Sequence, residues 1–168
     1  MSQAGHPLSR PSLPSAPLAP WGTAREADPA AVAPRRTVEL TEDQSLRLLG
    51  ETSLGRVVFT QRALPAIRPV NHLLDRGRIV IRTHQDSDLF VQARSHGDQG
   101  VVVAYQADDI DPLTHLGWSV VATGYCRPVT DPDDLMCYQQ LIRPWSDRVM
   151  NCAVQIRPHL VTGIMLTP

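Results

Sequence analysis

Seven short segments rich in β-branched and aromatic residues, separated by only three short helical patterns, narrow the folds open to this chain. The spacing predicts strands over 54–60, 66–74, 78–83, 100–105, 117–127, 152–157 and 160–166. Pro69 inside the second implies an edge, a bulge, or a stretch that something other than a strand faces. Asp75-Arg76-Gly77 reads as a hairpin turn, and Gly124 inside a long strand suggests a bend or bulge. Pro158 separates the last two strands.

The helices announce themselves by their caps. Thr41-Glu42-Asp43-Gln44 has the form of a capping box ahead of Leu46, Leu48 and Leu49, and Gly50 or Glu51 ends that helix. A second helix starts at Asp86 or Ser87 and runs through Leu89, Phe90 and Ala93. In Asp131-Pro132-Asp133-Asp134 a third has an N-cap, a proline in its first turn and acids at the positive end of its dipole. Meandering strands with short helices between them predict a closed antiparallel barrel and not a βαβ sheet.

Composition divides the chain in two. Residues 1–36 hold seven of the 15 prolines and a single aromatic, Trp21, and are expected to be a disordered tail. Residues 37–168 form the folded domain. A net charge of −1 argues against a general nucleic-acid binder. No apolar run approaches membrane-spanning length, and the N-terminus lacks the basic start and apolar core of a secretory signal. Cys126, Cys137 and Cys152 are odd in number and widely spaced, so they read as apolar filler in a reducing cytoplasm, without a disulfide or zinc framework.

All 16 basic residues are arginine, which excludes a Schiff-base or P-loop lysine. No nucleotide-loop, hydrolase or zinc-protease motif occurs, and the six histidines show no ligand spacing, so no metal site is expected. The acids at 108–111 read as a solvated turn. What remains is Arg82-Thr83-His84-Gln85-Asp86-Ser87, where a strand ends and a helix begins. Free backbone N–H groups, the hydroxyl of Ser87 and the arginine fork make a phosphate cradle there, opposed by the negative charges of Asp86 and Asp88. Asn71 needs a partner if buried, and His72 reads as a surface histidine.

Pro69-Val70-Asn71, Arg82-Thr83, Asp108-Asp109-Ile110-Asp111, Gly117-Trp118-Ser119-Val120, Thr123-Gly124 and Ile156-Arg157-Pro158 occur in series. In this the chain resembles the pyridoxamine 5′-phosphate oxidase-like family, in its small actinobacterial branch, from about residue 38 onward. The resemblance implies a six-stranded antiparallel Greek-key split barrel, mainly β with short helices, forming a homodimer with FMN in two interfacial clefts. Val70 and Asn71 would face the flavin ring, Arg82, Thr83 and Ser87 would lie at its phosphate, and Trp118 and Ser119 would approach from the partner subunit. Trp145 and Arg157 would line the substrate side. Trp118 reads equally as a core residue.

The function implied is flavin-mediated redox of a small molecule, with no catalytic side chain identified. Asp88 stands where the family commonly carries a lysine or arginine. That departure opens two alternatives: the same barrel holding a deazaflavin or haem, or a non-catalytic dimeric small-molecule binder.

Overall fold

The computed structural model describes residues 35–143 and 149–168. Trp145 and nearly all of the expected tail lie outside the described residues. The elements are β1 (Arg36–Leu40), α1 (Glu42–Glu51), β2 (Leu54–Gln61), β3 (Leu64–Asp75), β4 (Arg78–Thr83), α2 (Asp88–Ser95), β5 (Val101–Ile110), β6 (Gly117–Pro128), α3 (Pro132–Leu141) and β7 (Cys152–Thr167), with one 3₁₀ turn, Gly97–Gln99, ahead of β5.

The antiparallel sheet has seven strands in the order β1-β7-β4-β3-β2-β5-β6, and β7 also pairs with β6. Six strands therefore close a ring, and β1 is an additional seventh laid along the C-terminal half of β7. β5 returns beside β2 after the β2–β3–β4 meander, which is the Greek-key arrangement. β1 was not expected as a strand. Its exposed residues carry no turn signal, and it is held by pairing Val38 with Met165 and Leu40 with Gly163.

The two last strands expected from Pro158 are one strand of 16 residues. β4 leaves β7 after Ile156 and β1 joins it only at Gly163, so the proline lies where β7 has β6 as its sole neighbour. There the β6–β7 register shifts between Thr123 and Gly124. A Cβ on Gly124 would stand 2.0 Å from the Arg157 carbonyl oxygen, which explains the glycine inside that strand. β5 is longer than expected and absorbs Asp108, Asp109 and Ile110, leaving Asp111 to hold the turn through the backbone N–H groups of Leu113 and Thr114.

Helix starts follow the caps. Thr41 Oγ1 accepts from the Gln44 backbone at 3.3 Å and Gln44 Oε1 accepts from the Thr41 backbone at 2.9 Å. Asp131 Oδ1 accepts from the N–H groups of Asp133 and Asp134.

Inward-facing Val57, Phe59, Ile79, Ile81, Tyr105 and Val120 fill the barrel, closed at its ends by Leu49 of α1 and Phe90 of α2. A smaller cluster of Val80, Val129, Tyr138, Ile142 and Ala153 seats α3 on the outer face of β4 and β7. Tyr138 Oη donates to Asp75 Oδ2 at 2.7 Å, tying α3 to the β3–β4 hairpin. Cys126 is buried core filler, but Cys137 is exposed and Cys152 half-buried, so filler describes only the first. Among the described residues no helix is long and apolar enough to cross a membrane.

Candidate functional site

β3 pairs with β2 from Leu64 to Asn71, but with β4 only from His72 to Asp75. The strands thus part beyond the His72–Ile81 pair, and residues 64–71 present an unpaired edge. Pro69, which has no N–H to offer, sits in that stretch. The gap is a cleft of about 420 Å³, inside the range of small-molecule sites. Val57 and Phe59 form part of its floor, and its walls include Val70, Arg82, Thr83, His84 and Ser87. Four residues expected at a cofactor, Val70, Arg82, Thr83 and Ser87, therefore converge.

Thr83 is buried, and its hydroxyl donates to Ser87 Oγ at 2.7 Å. Ser87 Oγ also accepts from the Phe90 backbone N–H at 3.2 Å, capping α2. Those contacts leave the Ser87 hydroxyl proton and the N–H groups of Asp88 and Leu89 directed at the start of the helix, where an anion is favoured. Asp86 and Asp88 line the same cleft. Arg68, which the sequence reading missed, lines it from β3, with its guanidinium bonded to Ile67 O and Gln61 Oε1. Two arginines thus face two aspartates.

Arg82 does something the sequence could not show. Its Nη1 donates to Gln139 O at 3.0 Å and Ile142 O at 2.8 Å, and its Nη2 to Met150 O. These bonds occupy the outer part of the fork; Nε is buried with no acceptor among the described residues. Asn71, expected at the cofactor, does not line the cleft; it donates Nδ2 to Arg143 O at 2.7 Å, and its buried Oδ1 has no donor among the described residues. One acceptor and one donor at the fork are therefore unmet among the described residues.

Below the fork, His72 is buried, 4% exposed, correcting its reading as a surface residue. It pairs with Ile81 of β4, and its backbone N–H donates to Ser53 O on the other side. Its Nε2 lies 2.8 Å from Leu49 O and its Nδ1 2.7 Å from Tyr105 Oη. Burial raises the Tyr105 pKa and keeps the hydroxyl protonated, so the consistent assignment is Tyr105 donating to Nδ1 and Nε2–H donating to Leu49. Burial also lowers the imidazole pKa, against the smaller opposing effects of the Leu49 and Ser53 backbone groups. A Cβ on residue 55 would stand 2.1 Å from the Tyr105 hydroxyl, so Gly55 is what gives this pair room.

The other expected site residues lie elsewhere in the chain. Trp118 is 8% exposed and belongs to the barrel core, cross-strand from Asp109 and Met165. Ser119 is half-buried, opposite Asp108 and Ile164. Neither lines the cleft between β3 and β4. Arg157 lines a separate depression with Tyr125, Arg127 and His159.

A Greek-key barrel split between β3 and β4 defines a split-barrel protein. Residues 41–165 match the family model for pyridoxamine 5′-phosphate oxidase, and the chain belongs to the pyridoxamine 5′-phosphate oxidase-like family. An uncharacterised protein of Mycobacterium tuberculosis is 49% identical over 142 residues, covering 84% of this chain and 92% of that one. A Corynebacterium glutamicum structure, provisionally named a pyridoxamine 5′-phosphate oxidase, is similar at 28% identity and a TM-score of 0.62, covering 78% of this chain and 94% of that chain. An FAD-binding protein of Mycobacterium smegmatis shares the fold at 24% identity and a TM-score of 0.56, over 77% and 97% of the respective chains.

Proposed function

We propose that the cleft between β3 and β4 holds FMN and that the protein is a cytoplasmic, flavin-dependent oxidoreductase acting on a small molecule as a homodimer. The observation that carries this is a pair of polar atoms unmet among the described residues, Arg82 Nε on a residue lining the cleft and Asn71 Oδ1 next in sequence to the lining residue Val70, together with an anion-favouring helix start. Buried polar atoms left without partners are costly, and a ligand offering both an N–H and anionic oxygens meets that need. Thr83, Ser87 and the first N–H groups of α2 would hold the phosphate, with Val70 against the ring and Asn71 at its polar edge. Bound flavin supplies electron transfer; the chain orients it and keeps water from one face.

Two further features support the reading. Val102, Tyr125 and Leu160 are exposed on the outer face of β5–β7, an apolar patch suited to a second copy. In such a dimer Ser119, also on the outer face of β6, would come close to the partner's cleft. The three free cysteines suit a reducing compartment.

Asp86 and Asp88 set against Arg68 and Arg82 leave the lining without net charge, which keeps a deazaflavin as the second reading. The test is the absorption spectrum of the purified protein, with thermal shifts measured against FMN, a deazaflavin and haem. Yellow protein with its largest shift on FMN supports the proposal. Colourless protein whose melting temperature is unmoved by FMN overturns it. Light scattering that returns a monomer mass at micromolar concentration overturns the dimer.

A further inference from the structure

On the far side of α2, a second cleft of about 570 Å³ opens between α2, the 3₁₀ turn and the junction of β6 with β7. Arg94 and Arg127 line it, over Phe90 and Val129 and beside Thr130. Neither guanidinium has an ion-pair partner within 4.0 Å among the described residues, although Asp98 lies in the same cleft. Arg94 instead stands 5.9 Å above the Phe90 ring, which fixes its charge over an apolar floor. Arg127 is half-buried, and its buried Nε has no acceptor among the described residues. It also borders the smaller depression of Tyr125, Arg157 and His159, so positive charge continues along one surface.

A buried guanidinium N–H without an acceptor destabilises the fold unless something outside the chain accepts from it. Burial holds the Cys152 thiol above its usual pKa, so the sulfur at this cleft adds no negative charge at neutral pH. Two arginine forks with a hydroxyl beside them match a tetrahedral dianion. We propose that this cleft is a second ligand site, distinct from the cleft between β3 and β4, and that it binds a phosphate monoester through Arg127 and Arg94. The inference is independent of what the first cleft holds.

The test uses the full chain with inorganic phosphate and phenyl phosphate as probes, followed by thermal shift and by phosphorus NMR line-broadening. A Ser87→Asp background keeps a capping side chain on α2 while placing a negative charge in the first cleft, so binding there is suppressed. Both probes should still bind in that background. Arg127→Gln should weaken binding at least about tenfold, as loss of a charge-assisted donor does. Arg94→Gln, an exposed change that breaks no hydrogen bond within the chain, should also weaken it. Arg47→Gln, exposed on α1, should leave it unaltered.

Binding that disappears in Ser87→Asp, or survives both Arg127→Gln and Arg94→Gln, overturns the proposal. So does the absence of any response to either probe at millimolar concentration. Flavin absorption, measured separately, reports on the first cleft alone.

Discussion

Asn71 and Arg82 are the first residues past the last β3–β4 pair, and each turns its side chain to a carbonyl of the 142–150 region: Arg143 for Asn71, Ile142 and Met150 for Arg82. The fork is therefore kept open by polar side chains that replace the missing ladder. Where two strands separate inside a barrel, their backbone and side-chain groups need other partners, and these two residues supply them.

Arg82 should matter to the fold even with no ligand present. Arg82→Met removes three donors from the carbonyls of Gln139, Ile142 and Met150. The expected loss is about 3 kcal/mol of unfolding free energy, read as a lower urea midpoint in ligand-free protein. A residue serving only a ligand's phosphate would leave that midpoint unmoved.

His72 predicts a pH dependence. Its folded pKa lies below the ordinary 6.5, so as pH falls the unfolded chain takes up the proton first. The stability contributed by the neutral ring is complete above about pH 6.5 and is lost progressively below it. Urea midpoints from pH 7.5 to 5 should therefore fall more steeply for the native protein than for His72→Gln. Parallel curves for the two proteins would remove the histidine from the explanation.

Ser87→Ala and Ser87→Asp should separate capping from binding. Alanine loses the cap on Phe90 N–H and costs about 1 kcal/mol. Aspartate retains a capping side chain and most of that stability but places a charge against the phosphate. Flavin fluorescence titration should show weaker binding for both variants, with aspartate the worse despite its higher melting temperature.

Asp88→Asn should act in opposite directions on two measurements. Asp88 sits in the first turn of α2, where a carboxylate favours the helix by roughly 0.5 kcal/mol. The same carboxylate opposes an anion in the cleft it lines. Calorimetry should record a slightly lower melting temperature and tighter FMN binding together.

Trp118→Ala empties a core position and should cost about 3–5 kcal/mol, measured by chemical unfolding. Val102→Glu on the exposed outer face should instead split the proposed dimer, as sedimentation at two concentrations would show.

What could be read from sequence was local. The caps at Thr41, Ser87 and Asp131 are side chains acting on N–H groups two or three residues away, and each was legible. The glycine inside β6 marked a bulge for the same reason: crowding by the adjacent strand needs no knowledge of the whole fold to be suspected. β1 was missed because its exposed residues lack a pattern of their own. The unbroken run of β7 through Pro158 was hidden because a proline's cost depends on which neighbours are absent. Arg68 has the strand parity of an interior residue, opposite Val57, and only the departure of β4 makes that position an open wall. The bonds of Arg82 span 57 to 68 residues of chain, beyond any local signal.

The many partners of β7 also set an order of events. One strand must contact β4 with its first residues, β6 along nearly its whole length and β1 with its last, so the ring stays open until this segment emerges from the ribosome. Until then β2 to β6 form an incomplete sheet with bare edges, a species prone to pair with its own kind. Folding should accordingly wait for β7 and be slow for a domain of this size, limited by contacts distant in sequence. Shortfalls in yield on overexpression would originate in that waiting period, before any cofactor could bind.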